Sequence, residues 1–236
     1  MKSSNKKLSG NAQSNLLMRI IIRVLLIFIF LGLLLFLTAG SLRYIEAWIY
    51  LLVLFIPALF VITYFYRKDP GFIGSRILVR REKEQMHKSM QSIFSMVIFI
   101  GLLIPGLDFR FGWSDVPLSL LIISDAFVFL GYLLVARVME ENRYASAIIQ
   151  ITEGQKIIET GPYKIVRHPM YTGGLIFIMF TPLALGSYWA LIPISISTFP
   201  PLIFRIIKEE KLLTDNLQGY YDYCKKTKYR LIPFIW

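Results

Sequence analysis

The chain has 236 residues, of which 56% are hydrophobic and only 17% charged, and its formal net charge is +11. A soluble domain is usually about 45–50% apolar and about 25% charged, so this composition argues against a soluble enzyme, a disordered chain and a soluble nucleic-acid binder. The single cysteine, Cys224, cannot form an internal disulfide and so argues against a secreted disulfide scaffold. An integral membrane protein with basic loops remains.

Four long apolar windows follow a polar lead. Residues 1–15 are rich in Lys, Ser and Asn, which is typical of a flexible cytoplasmic segment. The next windows are 24–40, 47–66, 89–107 and 116–136, and Asp125 is the one charged residue inside them. A helix needs roughly 20 apolar residues to cross a bilayer, so each window predicts one transmembrane helix. The first window is too long for a cleavable signal peptide, and we expect none.

The last apolar stretch, residues 168–204, is too long for one crossing. Residues 185–188 read Leu-Gly-Ser-Tyr, which is a plausible turn. The sequence therefore predicts a helical hairpin with spans at 170–185 and 189–207. We expect the prolines of this stretch to kink or break its helices, which membrane bundles tolerate: Pro182, Pro193, Pro200 and Pro201.

In this six-span arrangement, nearly all basic residues fall on one side of the membrane. With a cytoplasmic N-terminus, the inside segments are 1–23, 67–88, 137–167 and 205–236, and only Arg43 and Arg110 among the basic residues fall outside. The sequence thus predicts an all-α, polytopic bundle of about six transmembrane helices, with both termini in the cytoplasm. In a prokaryote the membrane would be the inner or plasma membrane. We divide the chain into 1–15, a four-span region 16–141 whose basic loop 67–92 contacts anionic lipids, and a region 142–236 with the chemistry.

The first candidate site sequence is residues 161–171. Gly161-Pro162 marks a turn, and Pro169 both biases His168 away from helical geometry and suits the first turn of a helix. The positive end of that helix, with Arg167 beside it, suits a carboxylate or phosphate. In the alternative reading, Arg167, Tyr163 and Tyr171 anchor the chain at the membrane interface and His168 caps the helix.

The second candidate sequence follows the last span. Arg205 and Glu209 are four residues apart and share a helix face, so they could form no more than a surface ion pair. A short hairpin turn, however, returns them to His168 and Tyr171. The sequence therefore predicts one polar pocket, with an active site on the cytoplasmic side.

The other polar features of the sequence give weaker evidence for a functional site. Asp125 is either a functional intramembrane acid or a structural one. The aromatic segments 219–223 and 229–236 form either an interfacial belt or a lid over a cofactor. No Gly-rich nucleotide loop or Ser nucleophile elbow is present, and His87, His168 and Cys224 do not make a metal site. No motif specifies an oligomeric state.

Two motifs carry a family resemblance. The run Gly161-Pro162-Tyr163-x-x-Val166-Arg167-His168-Pro169-x-Tyr171-x-Gly173 resembles the signature of the isoprenylcysteine carboxyl methyltransferase family and its bacterial relatives. Arg205-x-x-x-Glu209-Glu210-x-x-Leu213 is similar too, as are Gly219-Tyr220-x-x-Tyr223 and Arg230-x-x-Pro233. Phospholipid methyltransferases share much of this pattern. The resemblance covers residues 142–236 well and the first four spans only in hydropathy.

The resemblance implies S-adenosylmethionine as the methyl donor, bound between the terminal hairpin and the C-terminal segment. Arg205 would meet the substrate, Asn142 would lie near the reacting centre, and His168 would be a catalytic group as well as a cofactor contact. The residues implied to line the cofactor are Gln150, Gln155, Lys156, Ile157, Ile158, Tyr163, His168, Pro169, Met170, Tyr171 and Glu209. Gln150 is aligned only across a short gap.

The acceptor that the resemblance implies is a lipid or prenylated small molecule within the bilayer, most specifically the carboxylate of an isoprenylcysteine. Arg205 would attract a carboxylate, whereas an amine would need a base, and only His168, Glu209 and Glu210 could serve. A phospholipid amine is therefore the alternative acceptor. Membrane sterol and fatty-acyl reductases, which use NADPH, resemble the stretch from Tyr223 to Pro233. A non-enzymatic transporter or assembly factor is a third reading.

Overall fold

The computed structural model describes residues 10–68, 88–142, 144 and 155–236. Residues 1–9, Gln150 and the central part of the predicted basic loop lie outside the described residues. The described helices are α1 (Gly10–Ala39), α2 (Ile45–Lys68), α3 (Lys88–Phe111), α4 (Leu118–Glu141), a 3-10 helix (Gly161–Lys164), α5 (Pro169–Ala184), α6 (Leu191–Asn216) and α7 (Tyr220–Lys226). These ranges contain no strand, which confirms the all-α prediction. The first helix already begins within the predicted polar lead.

The long helices have the length and surface of membrane helices. By length and composition, 4 of them could cross a membrane: Leu16–Ala39 of α1, Ile45–Lys68, Leu118–Glu141 and Leu191–Asn216. The apolar helix α5 is shorter. Large apolar side chains point outward along the bundle, among them Leu25, Phe60, Leu130 and Phe204. The chain is thus an integral membrane protein, and the number of crossings, six, stays a prediction.

Helices α4 and α5 approach each other most closely at two glycines. A Cβ on Gly131 would lie 2.7 Å from the carbonyl oxygen of Gly173, and a Cβ on Gly173 would lie 2.9 Å from the carbonyl oxygen of Gly131. Small residues allow this backbone-to-backbone packing between membrane helices. The neighbouring Gly174 faces open space. Helix α4 therefore fixes the position of α5, whose first residues belong to the candidate site.

A buried carboxylate holds the turn of the α5–α6 hairpin at the opposite end of the bundle. Asp108 is 1% exposed and accepts hydrogen bonds from the backbone N–H and the hydroxyl of Ser114, both at 2.7 Å. It also accepts one from the hydroxyl of Ser187 at 2.5 Å. Gly186, in the same turn, has a φ of 72°. The hairpin turn predicted at residues 185–188 is therefore confirmed.

The hairpin differs from the expectation in two respects. The helices do not break at the prolines, because α5 continues through Pro182 and α6 through Pro193, Pro200 and Pro201, and the alternative of a kink stays a prediction. Pro193 lies in the first turn of α6, where a missing N–H removes no intrahelical hydrogen bond. Helix α6 also extends to Asn216, past the predicted end of its span at residue 207. The apolar window marks only the part of a helix that suits the bilayer, whereas the charged residues beyond it continue the same helix.

Candidate active site

The turn before α5 is fixed against the end of α4. Gly161 begins the 3-10 helix with a φ of 56°, a backbone region that disfavours side chains. A Cβ there would lie 2.9 Å from Oε2 of Glu141. The Glu141 carboxylate also accepts a hydrogen bond from the hydroxyl of Thr160. The turn predicted from Gly161-Pro162 is confirmed, and its glycine is required by both backbone and space.

Tyr163 joins this turn to both of its neighbours. Its hydroxyl accepts a hydrogen bond from the side-chain amide of Asn142 at 2.8 Å. Its carbonyl accepts hydrogen bonds from the hydroxyls of Tyr223 at 2.8 Å and Thr227 at 3.3 Å. The end of α4 and the helix α7 are therefore connected through one residue of the first motif.

The start of α5 has the predicted local geometry. His168 is the N-cap residue with a φ of −123°, and Pro169 stands in the first turn. The backbone N–H groups of Arg167 and His168 donate to the carbonyls of Tyr229 and Arg230, each at 2.9 Å. The C-terminal segment thus lies alongside the entrance to α5. Its position follows from backbone hydrogen bonds that a sequence pattern does not reveal.

The end of α6 meets the start of α5 through Tyr171. The Tyr171 hydroxyl donates to Oε2 of Glu209 at 2.5 Å and accepts a hydrogen bond from Nε of Arg205 at 2.7 Å. One phenol therefore links the two charged residues that share a face of α6. The predicted convergence of the two motifs is confirmed, and the pair is more than a surface ion pair.

Glu210, which the sequence offered only as part of the second motif and as a possible base, is a buried junction. It is 8% exposed. Its Oε1 lies 2.9 Å from Nη1 of Arg167 and 3.2 Å from Nε2 of His168. Its Oε2 accepts a hydrogen bond from Nε of Arg230 at 2.8 Å. One carboxylate therefore connects α6, the entrance to α5 and the C-terminal segment.

This junction corrects the expectation for Arg167. The sequence suggested a positive charge available to an anion, but the guanidinium is paired with Glu210 and also donates to the carbonyl of Lys228 at 2.8 Å. Its charge is largely neutralised by a partner from α6. The position of Glu210, one residue after Glu209, hides this pairing in the sequence because adjacent helical residues point in different directions.

A pocket opens between these elements. The space between them is about 870 Å³, a volume that includes the part open to solvent. It is bounded by the end of α4, the segment 155–158, the start of α5, the end of α6 and α7. The motifs that lie about 40 residues apart in the sequence therefore enclose one cavity.

The structure brings most of the predicted site residues to this pocket. Within the described part of the chain, its walls include all the implied cofactor residues: Gln155, Lys156, Ile157, Ile158, Tyr163, His168, Pro169, Met170, Tyr171 and Glu209. Asn142 lines it as well. Arg205 is not among the lining residues and touches the site through Tyr171. Gln150 lies outside the described residues.

Sequence reasoning missed part of the wall. These residues are Tyr144, Leu212, Leu213 and Leu217, with Tyr220 and Tyr223 proposed only as a lid or a belt. The signal for Leu213 and Leu217 was present, because they continue the face of Glu209 at intervals of four residues.

Burial raises the pKa of Tyr220, and the nearby Glu210 carboxylate raises it further, so its phenol stays neutral at neutral pH.

Asp125 is remote from this site. It does not line the pocket, and its buried Oδ1 has no hydrogen-bond partner within the described residues. Neither the functional nor the structural reading gains support from this position. Among the side chains that the structure describes, no group of His, Cys, Asp and Glu could hold a metal ion.

Comparison with known proteins agrees with this arrangement. Residues 120–218 match the phospholipid methyltransferase family. No curated protein sequence is significantly similar to the chain. A solved structure of a eukaryotic intramembrane Ras methyltransferase, ICMT (isoprenylcysteine carboxyl methyltransferase), has 21% identity and a TM-score of 0.55, and the match covers 87% of this chain and 74% of that one.

The family match begins earlier than the resemblance in the sequence suggested. It starts at residue 120, in α4, rather than near residue 142. The close contact of α4 with α5 at Gly131 and Gly173 gives the physical reason, because α4 supports the site. The likeness to ICMT shows a shared fold. The predicted resemblance to the isoprenylcysteine carboxyl and phospholipid methyltransferases is confirmed, and the two findings support a membrane methyltransferase.

Proposed function

We propose that the protein is an S-adenosylmethionine-dependent methyltransferase that acts on a lipid-like acceptor at the cytoplasmic face of the membrane. The observation that carries the proposal is the pocket in which His168 and Tyr171 of the first motif meet Glu209 of the second. The most specific form of the proposal is carboxyl O-methylation of an isoprenylcysteine-type substrate.

The donor set of the pocket fits this cofactor. S-adenosylmethionine has a carboxylate, an ammonium and a sulfonium, and it supplies an activated methyl group for in-line displacement. Glu209 provides a carboxylate for the ammonium. The rings of Tyr163 and Tyr171 favour cations, and the start of α5 favours a carboxylate. Ile157 and Leu213 supply apolar walls.

The charges of the pocket fit NADPH poorly. NADPH carries a diphosphate and a further phosphate, which need several unpaired cations. The described walls contain one lysine, Lys156, and one arginine, Arg167. The arginine is paired with Glu210. Glu209 adds a negative charge. This balance favours a ligand with positive groups over a nucleotide with three phosphates.

Arg205 favours a carboxylate acceptor. It lies one helical turn from Glu209 towards the middle of α6, where the guanidinium contacts the hydroxyl and the ring of Tyr171. In that position it would orient an acceptor carboxylate approaching from the membrane. Asn142, held by its hydrogen bond to Tyr163, would face the reacting groups from α4.

The alternative acceptor is the amine of a phospholipid. Two observations favour it: the family match is to phospholipid methyltransferases, and the acid on the pocket wall is Glu209, whereas Arg205 lies behind Tyr171. An amine must lose a proton before it attacks, and the carboxylate of Glu209 on the pocket wall is a candidate base. In this reading Arg205 would contact the phosphate of the head group.

Cofactor binding gives the first test. Purified protein is titrated with S-adenosylhomocysteine and, separately, with NADPH by calorimetry. We expect binding of the first and none of the second. Glu209→Ala should weaken S-adenosylhomocysteine binding at least tenfold, whereas Asp215→Asn, an exposed acid on the same helix, should leave it unchanged. Binding of NADPH alone would overturn the methyltransferase proposal.

Methyl transfer gives the second test. Membranes containing the protein are incubated with S-adenosylmethionine labelled in the methyl group and with either a farnesylcysteine analogue or a total lipid extract. Base-labile label on the farnesylcysteine analogue would establish a carboxyl ester. Base-stable label in the phospholipid fraction alone would establish the amine acceptor instead.

A further inference from the structure

The hydrogen bond between His168 and Glu210 fixes where the ring of His168 carries its proton. The ring is buried, with 6% of the residue exposed, and its Nε2 lies 3.2 Å from Oε1 of Glu210. An ionised carboxylate only accepts hydrogen bonds, so Nε2 must be the donor. Such a tautomer follows from the network of partners around the ring.

Two guanidiniums already share the Glu210 carboxylate with this ring. The carboxylate already holds the guanidinium of Arg167 at 2.9 Å and that of Arg230 at 2.8 Å. Both are permanently charged. A protonated imidazole would place a third cation on a single buried anion, and like charges at short range disfavour it. With a single ring proton, that proton resides on Nε2 and Nδ1 keeps its lone pair.

We infer that Glu210 is a positioning residue that holds His168 as the neutral Nε2–H tautomer, so that Nδ1 offers a hydrogen-bond acceptor to the pocket. His168 is one of the residues that line the pocket. Within the described part of the chain, no residue donates a hydrogen bond to Nδ1.

The inference determines which ligand group His168 can meet, and in this respect it rests on the proposed function. An acceptor nitrogen binds an N–H group and repels a carboxylate oxygen. His168 would therefore contact the ammonium or the adenine amino group of the cofactor. The carboxylate of the cofactor would then be bound at the start of α5.

Nitrogen NMR of the ligand-free protein tests the tautomer directly. The chain has two histidines, so ring-¹⁵N-labelled protein in detergent gives two ring systems, and His87→Gln identifies that of His168. We expect a protonated Nε2 and an unprotonated Nδ1 at neutral pH. A proton on Nδ1, or an imidazolium at neutral pH, would refute the inference.

Glu210→Gln tests whether the carboxylate imposes this state. The amide cannot balance two guanidiniums, and its NH₂ group can donate to the ring, so we expect a mixture of tautomers and at least tenfold weaker binding of S-adenosylhomocysteine. Asp222→Asn, an exposed acid with 72% side-chain exposure, is the matched control and should change neither readout. An unchanged tautomer together with unchanged affinity would show that Glu210 does not position His168.

His168→Gln provides a variant that keeps the Glu210 contact. The glutamine amide can donate to Glu210 in place of Nε2, but it offers no group in place of Nδ1. We expect a melting temperature close to wild type and roughly tenfold weaker S-adenosylhomocysteine binding. In the wild type, the same ligand should shift the Nδ1 resonance.

The outcomes separate the two proposals. If wild-type protein does not bind S-adenosylhomocysteine, the proposed function fails while the NMR result still decides the tautomer. If it binds but the Nδ1 resonance does not move and His168→Gln binds equally well, the role of Nδ1 is wrong although the cofactor is right.

Discussion

At the scale of single residues, the site depends on side chains that share partners. Tyr171 serves Glu209 and Arg205 with one hydroxyl, and Glu210 serves three basic residues with one carboxylate. Removing one member of such a set takes a hydrogen bond or ion pair from each of the others. A buried charged group without its hydrogen bond is destabilised by about 1–3 kcal/mol or more.

Tyr171→Phe tests the shared hydroxyl. The substitution keeps the ring but removes the hydrogen bonds to Glu209 and Arg205, so both charged side chains lose their fixed positions. A hydrogen bond to a charged group contributes about 1.5–3 kcal/mol, and about 1.4 kcal/mol corresponds to tenfold in affinity. We therefore expect binding of S-adenosylhomocysteine to weaken at least tenfold by calorimetry.

The matched control is Tyr221→Phe, since Tyr221 is 64% exposed. This variant should bind S-adenosylhomocysteine as the wild type does. Equal affinities of Tyr171→Phe and the wild type would mean that Glu209 holds its position without the phenol.

At the scale of elements, α4 and α5 act as one unit. Their backbones touch at Gly131 and Gly173, and the N-terminal end of α5 carries His168 and Tyr171 into the pocket. A displacement of α5 along α4 would move these residues relative to Glu209 on α6. The stability of the helix pair and the geometry of the site are therefore coupled, which accounts for a family match that includes α4.

Gly173→Ala tests this coupling. The new Cβ would lie 2.9 Å from a backbone carbonyl, so the helices must separate. Overpacking of this kind destabilises by about 1–3 kcal/mol. We expect a lower melting temperature in detergent and weaker S-adenosylhomocysteine binding.

Gly174→Ala provides the control, because a Cβ there meets nothing within 4 Å. Alanine is favoured over glycine in a helix by about 1 kcal/mol, so this variant should melt at the wild-type temperature or above. Similar losses in both variants would indicate that helix composition matters rather than the contact with α4.

At the scale of the whole molecule, the pocket lies at one end of α5 and the hairpin turn at the other. The pocket lies where the ends of α4 and α6 meet the start of α5, and the charged ends of these helices lie there too. Asp108 fastens the opposite end of the hairpin. If the positive side is cytoplasmic, the pocket opens to the compartment that contains the soluble cofactor.

Cysteine labelling tests this orientation. In a Cys224→Ser background, Asp115→Cys marks the loop between α3 and α4, and Asp222→Cys marks α7; both positions are exposed. A membrane-impermeant maleimide applied to intact cells should label the first variant only, and both variants should react after permeabilisation. Labelling of Asp222→Cys in intact cells would reverse the proposed topology.

The helices, the turn before α5 and the start of α5 could be predicted because they depend on residues close together in the sequence. The apolar windows gave the helices, since burial in lipid needs a run of apolar residues of a given length. Gly161-Pro162 and Pro169 gave the turn and the helix start, since their backbone preferences act within a few residues. The four-residue spacing of Arg205 and Glu209 placed them on one face, and the hairpin turn predicted that this face returns to Tyr171.

The amino-acid sequence by itself determined the membrane class, the all-α architecture and the two motifs that meet in the pocket. Only the tertiary structure decided which charges are available. It paired Arg167 with Glu210, set Arg205 behind Tyr171, and laid the C-terminal segment against the entrance to α5. The reason is physical: whether a charge binds a ligand or an internal partner depends on distances between residues far apart in the chain, and packing sets those distances.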